Sequence, residues 1–188
     1  RVPGLLIGTP TRFFADRSSA TDIILVFSPD GKKILRPFPE AWIRPGIDPE
    51  RWKNRANYLA WNMLTGSNGE LNFFHTQSQV RYSLRADGFT SLSTGIKPGE
   101  WRSRPLIASG ENISFNVATS AGGDFTAALF DANGQEISGF GFSDCEIFYG
   151  DSLEFLPCWR GGQPCLAPGT VFSLGARFCE ADFYSFTY

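Results

Sequence analysis

Apolar residues fall in short runs separated by turn-forming clusters, and strong helix formers never recur together at the 3.6-residue spacing of an amphipathic helix. The stretch TDIILVFSPDGKKILRPF sets two apolar runs around Pro29-Asp30-Gly31, a turn in which Gly31 supplies the positive φ, and so predicts a β-hairpin. A second hairpin is predicted where ANYLAWNMLTG and ELNFFHTQ flank Ser67-Asn68-Gly69. QVRYSLRADGFTSLSTG adds a further strand and an Asp-Gly turn. The first half therefore reads as a meander of antiparallel strands.

GIKPGEWRSR, residues 95–104, carries two Gly, a Pro and four charges without an apolar period, and marks a domain boundary. Beyond it NISFNVATS alternates, with Ile113, Phe115 and Val117 on one face and Ser114, Asn116 and Ala118 on the other, which predicts a strand with one buried face. Asn133-Gly134 lies between strands as a strong hairpin signal. TVFSLGARFCEADFYSF places Phe172, Leu174, Ala176 and Phe178 on one face before an aromatic terminal strand. Strands of this spacing imply a two-sheet sandwich or jelly roll. The fold class is all-β, a reading that 18 Phe and abundant Gly and Pro reinforce.

At 188 residues the chain is long enough for one domain or two small ones, each with a core. A net charge of -2 without a block of like charges argues against nucleic acid and anionic membranes as partners. No apolar run approaches a membrane span, and the chain opens at Arg1 without a signal peptide, as expected of a mature product or a piece of a longer one. Cys145, Cys158, Cys165 and Cys179 all fall in the last quarter of the chain, and no C-x-x-C pair occurs. Two disulfides are favoured over a metal, with Cys158–Cys165 closing the turn-rich WRGGQP and Cys145–Cys179 remaining, although four cysteines allow three connectivities. Oxidised pairs, together with the sequon Asn112-Ile113-Ser114, point to an extracellular or periplasmic setting.

The sequence lacks the G-x-S-x-G, Walker, G-x-G-x-x-G and H-E-x-x-H patterns, and no cofactor is expected. His75, the one histidine, sits within LNFFHTQ as either a face residue or a satisfied core partner. EAWIRPGIDPERW, residues 40–52, fits neither strand nor helix. It sets Glu40, Asp48 and Glu50 near Trp42 and Trp52, with Arg44 and Arg55 at hand. Those are the residue types a glycosidase uses: carboxylates flanking a sugar, rings to stack on it and guanidinium groups to bind its hydroxyls. The competing reading fills the loop with the Trp rings and pairs the charges at the surface. Asp144, Glu146 and Asp151 in FSDCEIFYGDS offer oxygen ligands without the calcium-loop pattern, so a solvated loop is preferred there and no metal is expected.

EAWIRPGIDPERW, GELNFFHTQ, VRYSLRADGFTSL, SRPLIASGENISFNVATSAGGDFTAALFDANGQEISGFGFSDCEIFYGDS and the terminal ADFYSF, taken in order, resemble the C-terminal part of a bacterial family of glycoside-hydrolase-like proteins. These are similar to glycoside hydrolase family 32 and its five-bladed propeller neighbours, with a β-sandwich appended. The resemblance implies that residues 1–98 are propeller-blade-like, the end of a longer propeller, and that residues 99–188 form a jelly-roll-like sandwich. It implies Glu40 as an active-site contributor; Trp42, Arg44, Trp52 and Arg55 are the candidate sugar-binding residues on their residue types, and His75 is a further binding candidate. No segment resembles the NDPNG opening of the furanosidases, so a catalytic pair would be incomplete. Cys158, Cys165 and Cys179 depart from the family pattern.

The expected function is that of a secreted carbohydrate-active protein that binds a polysaccharide or oligosaccharide and hydrolyses it only when joined to further propeller blades or an N-terminal companion chain. The alternative is an assembly protein that self-associates through exposed β edges into an oligomer or fibre.

Overall fold

A computed structural model describes residues 4–110 and 112–188. All of its regular structure is antiparallel β, with two short 3-10 turns at Pro49–Trp52 and Phe142–Asp144, and no α-helix is present among the described residues. The chain divides into two compact units, Arg1–Leu84 and Arg85–Tyr188.

The first unit holds three small sheets. β1 (Leu6–Gly8) pairs with β4 (Val26–Ser28), β2 (Thr11–Phe14) pairs with β3 (Ala20–Ile23), and β5 (Leu64–Thr65), β6 (Leu71–Phe74) and β7 (Arg81–Leu84) form a meander in that order. The hairpin expected at Ser67-Asn68-Gly69 is present: Leu64 faces Asn72, Thr65 faces Leu71, and Gly69 takes a φ of 78°. The turn at Pro29-Asp30-Gly31 is also present, held by the Asp30 carboxylate, which accepts from the backbone N–H groups of Lys32 and Lys33 at 2.8 Å each. Its return arm is shorter than expected. Among the described residues only Leu35 bridges back to Phe27, and Ile34 beside it is solvent-exposed. No closed propeller is formed among the described residues.

The second unit is built on two 17-residue strands, β11 (Ser114–Phe130) and β13 (Val171–Thr187), paired along most of their length. β8 (Leu92–Ser93), β9 (Gly99–Arg102) and β10 (Leu106–Ile107) line the other edge of β13, while β12 (Asp151–Phe155) continues beyond β11. The long ribbon breaks register between Thr119 and Asp124, opposite Cys179 to Ala181, where Glu180 adopts a φ of 44°. That left-handed residue exchanges the parity of β13. Before it the even positions Phe172, Leu174, Ala176 and Phe178 face the core, and after it the odd positions Ala181 and Phe183 do so. The two halves of the ribbon thereby enclose one core, in which Phe125 lies 5.2 Å from Phe115, 6.0 Å from Phe178 and 5.8 Å from Phe183, ring centre to ring centre. Gly123 makes the fold-over possible, since a Cβ there would stand 2.5 Å from the Glu180 carbonyl oxygen. On the outer face Gly175 leaves room for Phe130 and Phe142, whose rings a Cβ would meet at 2.6 and 2.9 Å.

Two expectations are revised here. Residues 95–104 are no break in structure: β9 lies within them and pairs with β13, and the units divide earlier, between Leu84 and Arg85. The cause is Arg85. It donates from Nε to Asn116 Oδ1 (2.9 Å), from Nη1 to Asp151 (2.6 Å) and from Nη2 to the Ser152 carbonyl (3.0 Å), and it lies 4.4 Å over the Tyr184 ring. For the same reason the polar face of β11 is buried as well. Ser114 and Asn116 are both covered, and Asn116 Nδ2 donates to the Ala86 carbonyl at 2.7 Å.

All four cysteines are free, so the expected Cys158–Cys165 and Cys145–Cys179 bridges are absent. Cys145 bridges Trp159 across a short ladder and packs with it in the core, which puts Cys158, one residue along, on the opposite, exposed side. The loop that a disulfide was expected to close is closed instead by Gly162 N–H to the Trp159 carbonyl (2.8 Å) and Gln163 Nε2 to the Pro157 carbonyl (3.2 Å). Cys179 Sγ lies 3.2 Å from the Ile96 carbonyl. Burial pushes the Cys145 thiol pKa up.

Candidate functional site

The stretch at residues 40–57 is a long loop fastened to β3 at both ends. Trp42 and Ile43 donate their N–H groups to the Ile23 carbonyl (2.8 and 3.1 Å), and Asn54 bridges Ala20. Between these points Asp48 caps the 3-10 turn, its carboxylate accepting the Glu50 N–H at 3.0 Å, with Pro49 at the first position of the turn. Trp52 then folds back so that its indole N–H donates to the Gly46 carbonyl at 2.8 Å. Gly46 has a φ of 81°, the left-handed geometry that lets its carbonyl turn toward the ring.

Beneath the loop, Asn57 is fully buried and holds its underside in place. Its side-chain amide donates to the carbonyls of Thr21 and Arg51 at 2.6 Å each, and its Oδ1 accepts from Arg51 Nε at 3.0 Å. Its backbone N–H reaches Thr21 Oγ1 at 3.1 Å, and its carbonyl accepts from Thr11 Oγ1 at 3.0 Å. Every hydrogen-bonding group of Asn57 is thus used, which makes it the pin on which the loop conformation depends.

Alternation along β6 carries Phe73 and, just beyond the strand, His75 to the same side of the sheet, and Tyr82 stands opposite Phe73 on β7. Trp42 packs edge-on against Phe73 with ring centres 5.4 Å apart. His75 is a buried, satisfied residue. Its Nε2–H donates to the Ala56 carbonyl (2.8 Å), while Nδ1 accepts from the Ser78 N–H (3.1 Å) and the Ser78 hydroxyl (2.9 Å), which fixes the neutral tautomer. Burial lowers its pKa, the bond to Ala56 opposes that shift, and the positive charge of Arg51 adds to it. With both ring nitrogens engaged by its own neighbourhood, His75 contributes to the packing under the loop and offers nothing outward.

Arg51 lies over the Tyr82 ring, with Cζ 5.8 Å from its centre. Arg51 Nη2 and the Tyr82 hydroxyl are both buried, and neither has a hydrogen-bond partner among the described residues. Arg51 has no carboxylate partner there either.

Five of the six expected site residues therefore lie on one loop, and the sixth lies beneath it. Trp42 is half-buried against Phe73, whereas Trp52 is 54% exposed. Arg44 and Arg55 are exposed and unpaired among the described residues, and Arg55 has a φ of 56°. Glu40 is exposed, with no hydrogen bond or ion pair among the described residues. The other acids of the stretch do not pair with it: Asp48 caps the turn, and Glu50 binds Lys53 at 2.6 Å. In the second unit the carboxylates weighed for calcium are engaged separately, Asp144 with Gly141 N–H and Arg160, and Asp151 with Arg85. Among the described residues no group of three or more His, Cys, Asp or Glu side chains is disposed to hold a metal.

Arg51, Asn57 and Tyr82 escaped the reading from sequence. The one available signal was the polar Arg-Ala-Asn triplet at 55–57 immediately before an apolar run, an unusual place for an amide that ends fully buried. Comparison of the chain with protein-family models, with curated proteins and with solved structures finds no match in any of the three.

Proposed function

We propose that the chain is a glycoside-hydrolase-like, carbohydrate-active protein of the extracellular space or periplasm, whose first unit binds a polysaccharide or oligosaccharide along the 40–57 loop. In this reading the first unit is the end of a propeller and the second a jelly-roll-like sandwich that supports it. Hydrolysis then requires further blades, because Glu40 stands without a second carboxylate beside it. The observation that carries the reading is Trp52, an indole more than half exposed yet held in orientation by its N–H bond to Gly46 in a loop pinned by Asn57. A sugar's C–H face stacks on such a ring, and a ring already immobilised loses little entropy on binding. The ordered resemblance to the glycoside-hydrolase-like family supports the same assignment.

Titration calorimetry of the intact chain against a panel of neutral and charged oligosaccharides tests this. Binding that weakens about 2- to 12-fold in Trp52→Ala, the range of an aromatic contact worth about 0.5–1.5 kcal/mol, is the expected result. An intact chain that binds no member of the panel at millimolar concentration overturns the proposal.

A second reading, self-assembly, is favoured by a separate observation. Leu6, Phe13, Ile34, Trp61 and Leu64 of the first unit are all exposed, beside sheets only two or three strands wide. A concentration-dependent increase in mass by light scattering supports it, and a constant monomer mass removes it.

A further inference from the structure

We infer that the glycan taken by the 40–57 loop is acidic, bearing carboxylate or sulfate groups; this rests on the carbohydrate reading above and names its substrate class. The overall charge of -2 conceals a division between the units. Residues 1–84 carry 11 Lys and Arg against 7 Asp and Glu, whereas residues 85–188 carry 6 against 12. The cationic surplus of the first unit includes the loop itself. Within residues 36–55 Glu50 pairs with Lys53, which leaves Glu40 and Asp48, the latter capping the turn with its charge intact, against Arg44, Arg51 and Arg55 as groups with no ionic partner among the described residues. Arg36 is held by the Pro39 carbonyl at 2.5 Å, so it too keeps its charge uncompensated.

Arg51, on the loop itself, adds to the same chemistry. Arg51 Nη2 is a donor and nothing else, the Tyr82 hydroxyl can donate, and both are buried without an acceptor while Arg51 lies over the Tyr82 ring. The Arg51 guanidinium, half-buried and without an ionic partner among the described residues, adds a positive charge to the loop that favours an anionic ligand over a neutral one. Exposed Arg44 and Arg55 flank the fixed Trp52 ring in sequence, so that the loop offers stacking and charge recognition together. A neutral sugar would leave the charge surplus unused.

The test uses the full chain in titration calorimetry at about 50 and about 300 mM salt, the range over which screening removes exposed charge interactions. The ligands are oligogalacturonates, sulfated dextran oligomers, neutral gluco- and fructo-oligosaccharides of equal length, and oligothymidylate. Binding of at least one acidic glycan about 10-fold tighter than the neutral ones, with a gap that narrows at high salt, is the expected result. Arg44→Ala/Arg55→Ala, whose side chains make no hydrogen bond among the described residues, should lower acidic-glycan affinity about 5- to 30-fold and neutral-glycan affinity by a smaller factor, so that the gap between the two classes narrows. Preference for the galacturonates identifies carboxylate as the recognised group, and preference for the dextran series identifies sulfate. Equal affinity for neutral and acidic glycans overturns this inference and leaves the carbohydrate reading standing. Oligothymidylate bound as tightly as the acidic glycans overturns it in favour of general polyanion binding, and failure of every glycan removes the carbohydrate reading itself.

Discussion

Replacing Arg85 by Ala isolates the contact that assigns the 85–93 segment to the second unit. Three hydrogen bonds and a ring contact disappear together, but they do not count equally. The partner Asp151 is mostly solvent-exposed, so that ion pair contributes no more than about 1 kcal/mol. The Ser152 carbonyl sits at the end of the sheet beyond β11, where water can replace the lost donor. The main cost falls on Asn116, 4% exposed, whose Oδ1 loses its partner and remains dry, at about 1–3 kcal/mol. Loss of the stacking over Tyr184 adds about 0.5–1 kcal/mol. Urea unfolding of the full chain should therefore show the variant destabilised by about 2–4 kcal/mol. Most of that loss should persist in 1 M salt, which removes only the exposed Asp151 component. In a double-mutant cycle with Asn116→Val, the pair should couple by about 1 kcal/mol or more. A loss below about 0.5 kcal/mol, the ordinary value for a surface arginine, would refute the reasoning and with it the account of why the units divide at residue 84.

Two further predictions concern the single histidine and the cysteines. The folded pKa of His75 lies below its ordinary value, so the unfolded chain takes up a proton first as pH falls through about 6.5, and the first unit should lose stability between pH 7 and 5.5 by at most about 1.4 kcal/mol per pH unit. Urea midpoints measured across that window check this, and a His75→Gln variant should be flat there; a wild-type curve without slope contradicts the buried neutral tautomer. A thiol titration of the native chain should find Cys158 and Cys165 reactive and Cys145 silent until denaturant is added. An intact mass lower by about 2 Da per bridge would instead show the oxidised form.

How far the sequence is readable depends on the range of the interactions involved. Ser67-Asn68-Gly69 and Asn133-Gly134 were legible because a turn is local chemistry, and Asp131 closes the second one by accepting from Asn133 and Gln135 N–H groups. The apolar faces of 113–117 and 172–178 were legible because alternation is local too. The burial of Asn116 was not, since it depends on Arg85, 31 positions away. Nothing in Cys-Glu-Ala announces a left-handed residue at Glu180, a conformation usually signalled by Gly or Asn. The loop at residues 40–57 was recognisable as irregular and aromatic, but its pin at Asn57 and the donors of Arg51 and Tyr82 arise from contacts between segments whose pairing no local pattern encodes.

The parity exchange at Glu180 sets how the second unit tolerates changes in chain length. One residue inserted or deleted between Phe178 and Ala181 would turn Ala181 and Phe183 outward and bring Asp182 and Tyr184 into the aromatic core, reversing the last turn of the ribbon in one step. Opposite it, residues 120–123 have no partner in the ladder and Ser120 to Gly122 are exposed, so a residue gained or lost among those three turns no core-facing side chain outward. Length variation among natural variants of this chain should therefore collect at Ser120 to Gly122 and avoid Cys179 to Ala181, and a guest peptide grafted into the unit belongs at the former position.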